Sequence, residues 1–423
     1  MSYFHDLSLV ESEIANCMRC GNCQAQCPYY RETKSESNVA RGRIRLAKAV
    51  LEGGLPYSPA LAERLECMTC YACNANCPCG VKVDKILLSA RAALVRDGGA
   101  PALKKIMAVA LKNQRMLDLF IKAAARTKPL FLKNHPLGGH LLRFSLGTDG
   151  RRLIPPFTAK PFRDTHQEYI SVPGAKKTAA VFTGCLGNYV YPQTSSAVVE
   201  ILTACGFNVI IPKDQHCCGA PLSLNGVVDA AEVLAKSHVD IFSNTKADVI
   251  VTACGTCGES FKKKYPELLD GRASYAARAT EIASKTYDIA QIACEYILSG
   301  GRQLKEVGMT VTYHEPCHLG RGMGVVNEPP ALFKKIPGLT FVPLKEPSRC
   351  CGNAGSFNIT HYNLSLKILK HKLADIDNTG AETVVTGCSA CRMQLADGMA
   401  REGKKLRILH TAELLAMSLG RGA

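Results

Sequence analysis

The chain has 423 residues, of which 47% are apolar and 21% are charged, so disorder is not its default state and two or three domains are expected. Its 21 cysteines and absence of tryptophan leave three classes open: a secreted disulfide scaffold, a zinc protein or a cluster protein. A formal net charge of +16 is compatible with an acidic protein, anionic lipid or nucleic acid as a partner.

The N-terminus disfavours the secreted class. Residues 1–16 contain three acidic side chains and lack the basic segment and continuous apolar core of a secretion signal. No uncharged apolar stretch reaches the roughly 18 residues that a membrane-spanning helix needs. We therefore expect a soluble cytoplasmic chain, with peripheral contact at the inner face of the cytoplasmic membrane as a further option. In that compartment thiols stay reduced unless a metal binds them.

Residues 1–98 are predicted to form a small, α-helical, ferredoxin-like domain that ends in a helical pattern over Val83–Val95. Two complete C-x2-C-x2-C-x3-C-P runs lie in it, at residues 17–28 and 67–78. In such runs three close thiolates bind one cube, and the fourth, turned away by the proline, binds the neighbouring cube. The pattern predicts two [4Fe–4S] clusters. The ligand sets are Cys17, Cys20, Cys23 and Cys77 for one cluster, and Cys67, Cys70, Cys73 and Cys27 for the other.

Zinc and disulfides are disfavoured in this domain, because four cysteines crowd into eleven residues twice, whereas zinc prefers two separated pairs. Cys79 is interpreted as a spare thiol near a cluster, with substitution as a ligand as the alternative. Nearby arginines could raise the cluster potential or simply line a solvated helix. They are Arg19, Arg41, Arg43 and Arg45.

Residues 99–175 are predicted to be a connecting arm. Leu103–Ala125 has helical apolar spacing, and the remainder is rich in Pro and Gly with little apolar material for a core of its own. From Lys104 to Asp164 there are 13 Lys or Arg against 3 Asp, a local balance of +10. This basic segment is either a docking surface for a partner or a membrane, or a solvated helical face.

From residue 176 onward short β-branched runs alternate with helical patterns, which predicts α/β layers with a mostly parallel sheet. We divide this part into module one, residues 176–305, and module two, residues 306–423. The predicted strands are Ala179–Phe182, Asn208–Ile211, Asp248–Thr252, Thr310–Tyr313, Thr340–Val342 and Thr383–Thr386, and the predicted helices are Ser195–Cys205 and Val228–Ser243.

Five cysteines of module one recur in module two at offsets of 132, 133, 133, 134 and 134 residues, which indicates an internal duplication. Each set reads Cys, then Cys-Cys-Gly, then C-x-x-C, and lies at predicted strand ends that converge on one sheet edge. Gly219 and Gly352 allow the backbone to approach a metal. The spacing indicates a multinuclear metal site in each module. The two sets are Cys185, Cys217, Cys218, Cys254 and Cys257, and Cys317, Cys350, Cys351, Cys388 and Cys391.

This arrangement resembles the cysteine-rich CCG domain of heterodisulfide reductase subunits. Joined to a double ferredoxin head, the whole chain resembles the iron–sulfur subunits of glycolate oxidase and D-lactate dehydrogenases. It is also similar to the iron–sulfur subunit of anaerobic glycerol-3-phosphate dehydrogenase and to the D-type subunit of heterodisulfide reductase. The resemblance implies that all five cysteines of a module bind a noncubane [4Fe–4S] cluster, so that one or both modules are metallated.

Several residues near these cysteines have weaker signals. His216, His314 and His318 could deliver protons or donate to sulfide, but structural hydrogen bonding is the simpler interpretation. Cys205 and Cys294 have no counterpart in the repeat and are interpreted as core thiols. The sequence designates no catalytic residue.

No phosphate-binding Gly-rich loop follows a strand, and the tract at residues 320–324 is too weak a signal, so flavin is expected on a partner and not on this chain. The leading hypothesis is an electron-transfer subunit of a glycolate or D-lactate dehydrogenase complex. It would pass electrons from an FAD-binding subunit or an electron-transfer flavoprotein to a quinone or another carrier.

The alternatives are a catalytic subunit that reduces a disulfide at a noncubane cluster, and the iron–sulfur subunit of glycerol-3-phosphate dehydrogenase. Nucleic-acid binding is disfavoured because there is no tryptophan for stacking and the basic residues are concentrated in the arm.

Overall fold

The computed structural model describes residues 2–56, 58–136, 138–144 and 152–420, without the side chain of Leu103. Asp149 and Arg151, which contribute to the predicted charge of the arm, lie outside the described residues. The described part is a mixed helix-and-sheet structure with a helical N-terminal head and two α/β modules. None of its helices is both long and apolar enough to span a bilayer.

The head is helical, and its longest helix, Val83–Gly98, runs three residues beyond the predicted Val83–Val95. Ile86, Leu87 and Leu88 of this helix are buried in the apolar core that the head shares with module one. The α-helices of the head are α1 (Glu11–Ala15), α2 (Asn22–Gln26), α3 (Pro28–Thr33), α4 (Ala40–Leu51), α5 (Pro59–Leu65), α6 (Ala72–Ala75) and α7 (Val83–Gly98), with 3-10 turns at Leu7–Val10 and Glu36–Asn38.

The arm differs from the single helical pattern predicted over Leu103–Ala125. Asn113 interrupts that pattern because its side chain accepts the backbone N–H of Met116 at 3.0 Å and so caps a second helix. The arm also supplies a short edge strand, Tyr169–Ile170, to the sheet of module one. Its elements are α8 (Ala102–Lys112), α9 (Gln114–Phe131), β1 (Leu132–Asn134), β2 (His140–Leu142), α10 (Phe162–Thr165) and β3 (Tyr169–Ile170).

Module one is built on a five-stranded sheet of order β3-β5-β4-β6-β7, in which only β3 is antiparallel. The predicted strands are present within one or two residues of their predicted bounds, whereas β7 was not predicted. The elements are β4 (Lys177–Phe182), α11 (Gly184–Tyr189), α12 (Pro192–Ala204), β5 (Phe207–Ile210), α13 (Ala220–Ser223), α14 (Val228–Asn244), β6 (Val249–Thr252), α15 (Gly255–Glu259), α16 (Tyr265–Leu269), α17 (Ala276–Ser284), β7 (Thr286–Asp288) and α18 (Ile289–Ala293), with π-helical turns at Ser260–Lys264 and Cys294–Leu298.

Module two repeats this topology with a fully parallel sheet of order β9-β8-β10-β11, which matches β5-β4-β6-β7 of module one. The strand at Thr383–Thr386 has the predicted bounds, and β11 was not predicted. The elements are β8 (Met309–His314), α19 (Glu328–Phe333), β9 (Leu339–Phe341), α20 (Phe357–Thr360), α21 (Tyr362–Asp377), β10 (Thr383–Thr386), α22 (Ser389–Arg401), β11 (Arg407–His410) and α23 (Thr411–Ser418), with a π-helical turn at His318–Met323.

One apolar core joins the two modules. One face of each sheet contributes to it, with Val181 from β4 and Val311 from β8 both fully buried. Because successive side chains of a strand point to opposite faces, the other face of each sheet packs in a separate core under its own helices. The modules are therefore packed against each other through their sheets and helices, which fixes the relative position of their strand ends.

The head is attached to module one at a point of close backbone packing. The guanidinium of Arg91 on α7 donates to the carbonyl oxygens of Leu65, Cys67 and Leu224 at 3.0, 2.9 and 2.6 Å. Gly226 lies against the same helix, and a Cβ on it would be 2.6 Å from the carbonyl oxygen of Arg91. A buried arginine and a glycine thus hold the second ferredoxin run on module one.

We expect Gly226→Ala to destabilise the protein more than Gly206→Ala does. Both glycines have left-handed φ values, +78° and +81°, so both substitutions add about 1–2 kcal/mol of backbone strain. Only Gly226 would place the new methyl against backbone, which adds about 1–3 kcal/mol, whereas a Cβ on Gly206 meets nothing within 4 Å. Thermal unfolding of both variants under anoxic conditions measures the difference. Equal midpoints would contradict the close packing.

Candidate metal centres

Each ferredoxin run folds around its own cavity, and both runs have positive φ values at the same two positions. Arg19 and Thr69, the second residue after the first cysteine of each run, have left-handed φ values of +61° and +46°. The residues after the second cysteine, Gly21 and Tyr71, also have positive φ, at +90° and +60°. Where residues with positive and negative φ alternate, successive backbone N–H groups point to the same side and form a concave surface suited to an anion or a cluster.

The cavities bring together the predicted ligand sets, each completed by the fourth cysteine of the other run. Cys79 and Cys73 also touch the wall of the first cavity, and Cys79 and Cys20 are exposed to solvent. Cys17, Cys20, Cys23 and Cys77 line the first cavity, and Cys27, Cys67, Cys70 and Cys73 line the second.

The donor chemistry of the second cavity suits thiolates bound to a metal. The backbone N–H of Tyr30 donates to Cys27 Sγ and that of Thr69 to Cys67 Sγ, both at 3.4 Å. Burial raises the pKa of Cys27 to about 11. This thiol therefore keeps its proton at neutral pH unless a metal replaces the proton. Four sulfurs, two of them with amide donors, in a mostly apolar cavity fit an iron–sulfur cluster.

In both modules the cysteines follow the carboxyl ends of parallel strands. Cys185 comes three residues after β4, and Cys317 comes three residues after β8. The C-x-x-C pairs follow β6 and β10 and open the helices α15 and α22. The Cys-Cys pairs lie in the loops after β5 and β9. The duplicated topology thus places each set of five cysteines at one sheet edge.

The ten thiols form one connected series that crosses from one module to the other. Cys254 Sγ of module one lies 3.7 Å from Cys388 Sγ of module two. The series reaches the head as well, because Cys70 of the second ferredoxin cavity interacts with the thiols of Cys317 and Cys350. In order, the neighbouring thiols are Cys185, Cys217, Cys218, Cys257, Cys254, Cys388, Cys391, Cys351, Cys350, Cys317 and Cys70.

Mutual hydrogen bonding moves the pKa values of these thiols in opposite directions, and those of Cys218 and Cys351 lie well below that of an ordinary cysteine. Hydrogen bonds from neighbouring thiols, together with burial, raise the pKa values of Cys217, Cys257 and Cys391 well above that of an ordinary cysteine. Metal ligation requires the thiolate, so cationic iron must displace the protons. A set of five such sulfurs fits a multinuclear cluster in each module.

Glu259 connects the head and both modules at the same place. Its carboxylate accepts the Tyr71 hydroxyl from the head and pairs with Nδ1 of His318 from module two. Burial opposes its ionisation, but His318 and the other partners lower the pKa of Glu259 to about 2. In turn, burial disfavours the charged imidazole, yet Glu259 raises the pKa of His318. His318, considered above for proton delivery, is thus held in a buried ion pair.

The other histidines near the cysteines have different surroundings. The backbone N–H of His216 donates to Nε2 of His238 at 3.1 Å, and Nδ1 of His238 lies 2.9 Å from the Tyr265 hydroxyl. Burial lowers the pKa of His238 to about 3, so this imidazole is neutral. His314 is fully buried and interacts with the Cys351 thiol, but neither ring nitrogen makes a hydrogen bond of good geometry within the described part of the chain.

Arg321 connects the head to module two as Arg91 connects it to module one. It donates to the Cys70 carbonyl oxygen at 3.0 Å, and to the carbonyl and hydroxyl oxygens of Ser348 at 2.8 and 3.0 Å. Sequence reasoning missed Arg321, Arg91 and Glu259, since each acts on residues far away in the chain. Only the weak Gly-rich signal around Arg321 could have drawn attention to it.

Cys205 and Cys294 lie apart from the thiol series. Both are half-buried and pack against the apolar core shared by the modules. Burial raises the pKa of Cys205 to about 11 and also raises that of Cys294, so neither thiol is activated.

Comparison with known proteins agrees with this architecture. Residues 13–81 match the family described as 4Fe-4S dicluster domain, and residues 179–262 and 311–396 each match the family described as cysteine-rich domain, CCG. The "Probable glycolate oxidase iron-sulfur subunit" of Bacillus subtilis is 30% identical over 97% of this chain and 95% of its own length.

Two further relatives have names that indicate other roles. A subunit of the fumarate reductase (CoM/CoB) of Methanothermobacter marburgensis is 26% identical over 96% of this chain and 72% of its own length. "Lactate utilization protein A 1" of Bacillus anthracis is 29% identical over 57% of this chain and 99% of its own length.

The fold and the cysteine sets define an iron–sulfur protein of the oxidoreductase class, with a dicluster head and two cysteine-rich modules. The chain belongs to the family of the glycolate oxidase iron–sulfur subunit.

We expect Cys77→Ser to remove one cluster and Cys79→Ser to leave the cluster content unchanged. Both thiols lie on the wall of the first cavity, but Cys77 is half-buried there and Cys79 is exposed. Iron and acid-labile sulfide analysis of the anoxically purified chain should show about four fewer iron atoms in the first variant only. A loss confined to Cys79→Ser would make Cys79 the ligand instead.

Proposed function

We propose that this chain is the iron–sulfur electron-transfer subunit of a flavin-dependent 2-hydroxy acid dehydrogenase acting on glycolate or D-lactate. It would take electrons from an FAD-binding partner and pass them to a quinone or another carrier. The relatives named for glycolate oxidase and lactate utilization support the substrate class. The observation that carries the proposal is the unbroken series of thiols from the head through module two to module one.

In this proposal the eight head cysteines hold two cubane [4Fe–4S] clusters, and the two sets of five hold further [4Fe–4S] clusters, of the noncubane type that the family resemblance implies. When bound, such clusters supply one-electron carriers whose potentials depend on nearby charge, hydrogen bonds and solvent. The domains would be residues 1–98, 99–175, 176–305 and 306–423. The end of α7 at Gly98 supports the first boundary.

The chain's own residues would hold these centres close to one another and exclude water from the space between them. Arg91 and Arg321 hold the backbone of the second ferredoxin run against both modules. Cys70, Cys317 and Cys350 are all buried where the head meets module two, so water is excluded from that passage. Electrons from the head would therefore enter module two before module one.

Disulfide reduction by the chain itself is the second candidate. The observation that favours it is the approach of Cys254 to Cys388, which places the two sets of five cysteines face to face across the module boundary. Reduction of a disulfide to two thiols needs two electrons and two protons, and clusters held by the two sets of cysteines would supply the electrons while the protons would come from solvent. The relative named for a fumarate reductase (CoM/CoB), whose match covers most of this chain, is compatible with such chemistry.

Anoxic affinity purification of the tagged chain from its native host separates these candidates. We expect a stoichiometric FAD-containing protein to copurify, and the visible absorption of flavin and clusters to bleach on addition of glycolate or D-lactate. Glycerol 3-phosphate and buffer alone are the matched controls. A flavin-free preparation whose clusters respond to a disulfide or a dithiol would contradict the dehydrogenase proposal and support disulfide reduction.

A further inference from the structure

The polar face of helix α9 points into the protein. Gln114 and Asp118 both hydrogen bond with the hydroxyl of the buried Tyr189. One turn after Asp118, Lys122 Nζ pairs with Asp164 at 2.5 Å. Near the end of the helix, Lys128 Nζ donates to the Phe157 carbonyl oxygen at 3.4 Å. These four polar side chains therefore attach the 18-residue helix to module one and to the rest of the arm.

The apolar face of α9 points outward, which is the reverse of an ordinary surface helix. Leu119 and Phe120 are 71% and 70% exposed, and a second exposed apolar pair, Leu130 and Phe131, lies about three turns further along, beyond the exposed Arg126 and Thr127. Ile106 and Val109 on α8 and Phe144 after β2 add further exposed apolar surface to the arm. The exposed apolar residues of α9 are Met116, Leu119, Phe120, Leu130 and Phe131. An exposed apolar stripe of this extent, although interrupted by polar residues, indicates an interaction site.

The charge around this stripe is almost entirely positive. Residues 102–144 contain nine Lys or Arg and one acidic residue, Asp118, whose carboxylate faces inward to Tyr189. The cations that stand in solvent around the stripe are Lys105, Lys112, Arg115, Arg126 and Lys133. A helix with aromatic and aliphatic side chains on one face and flanking cations is suited to the interface of an anionic bilayer, where apolar groups enter the acyl boundary and cations meet lipid head groups.

We propose that α9 docks the protein onto a bilayer that contains anionic phospholipid, with Leu119 and Phe120 inserted at the interface. This inference concerns a surface and does not depend on which donor reduces the clusters. It would bring the protein to the compartment of a membrane-soluble electron acceptor.

Vesicle flotation of the full, cluster-loaded chain tests the proposal. We expect binding to phosphatidylglycerol-containing vesicles, weaker binding to pure phosphatidylcholine vesicles, and weakening by salt. The double variant Leu119→Gln/Phe120→Gln should bind about tenfold or more weakly, because two large apolar groups no longer leave water. Ile359→Gln is the matched control, since Ile359 is 56% exposed but lies on α20 in module two.

The double charge-reversal variant Arg115→Glu/Arg126→Glu should also bind the vesicles more weakly. Salt should no longer weaken the binding that remains. Absence of wild-type binding at low salt, or equal weakening by Ile359→Gln, would overturn the proposal. A double variant that binds vesicles normally but releases a copurifying flavoprotein would show that α9 is a protein interface, which also overturns it.

A separate observation concerns His314. Its ring nitrogens and the sulfurs of Cys351 and Cys391 all lie within 4.8 Å of one another, in a fully buried position at the end of β8. At the matching end of β4 in module one stands Phe182, packed edge-on against His238. The duplicated fold therefore accepts an apolar ring here and does not require an imidazole.

We infer that a ring nitrogen of His314 binds iron in module two, in addition to the five cysteines, so that the two modules hold unlike centres. This inference rests on the proposed cluster in module two. A buried imidazole whose polar neighbour among the described residues is the Cys351 thiol is poorly satisfied, and ligation would give a ring nitrogen a strong partner. Imidazole is an established ligand beside cysteine in iron–sulfur centres, where it raises the reduction potential.

Electron–nuclear double resonance of the reduced, cluster-loaded chain tests this inference. We expect a strongly coupled nitrogen whose isotope pattern changes when histidine is labelled with 15N, a readout that needs no substitution. His314→Phe should abolish the coupling, whereas His216→Phe, beside the Cys-Cys pair of module one, should retain it. A spectrum of the module-two centre without histidine coupling would overturn the inference. Iron content too low for a module-two cluster would instead count against the proposed function.

Discussion

Ten thiols brought together at two sheet edges, seven of them buried, are the constraint on which the rest of the structure depends. Burial and mutual hydrogen bonding raise the pKa values of several of them, such as Cys217 and Cys257, so these thiols bind iron only when it takes the place of their protons. Close backbone approach follows from it. A Cβ on Gly255 of module one would lie 2.7 Å from the backbone nitrogen of Leu319 in module two, so glycine at this position allows the two modules to meet at Cys254 and Cys388.

The head is fixed to this centre by polar groups and not by apolar area alone. Arg91 and Arg321 bind carbonyl oxygens of the second ferredoxin run, and each also binds a loop of one module. Tyr71, which adopts a left-handed φ where the first run has glycine, is held there by Glu259. Buried groups with several partners keep one geometry, because losing any partner would leave a charge or a polar atom unpaired.

The duplicated sheets and the cysteine sets could be predicted from the sequence, since both depend on local patterns: β-branched runs such as Thr383–Thr386 and fixed cysteine spacing. The edge strands β3, β7 and β11 were missed because two to four residues carry too weak a periodic signal. The break at Asn113 depends on one capping hydrogen bond. The roles of Glu259 and Arg321 could not be predicted for another reason, because their hydrogen-bond partners come from segments that only folding brings together.

Duplication gives the two modules the same backbone but different charge. His238, the eleventh residue of α14, accepts the backbone N–H before the Cys-Cys pair of module one, and burial keeps it neutral with a pKa of about 3. Lys372, the eleventh residue of α21, binds the carbonyl oxygens of Glu346 and Pro347 before the corresponding pair of module two. Arg321 adds a second cation beside Cys317 and Cys350. Positive charge stabilises a reduced cluster, so in the proposed function module two would be the centre at which an electron leaving the head is held most favourably.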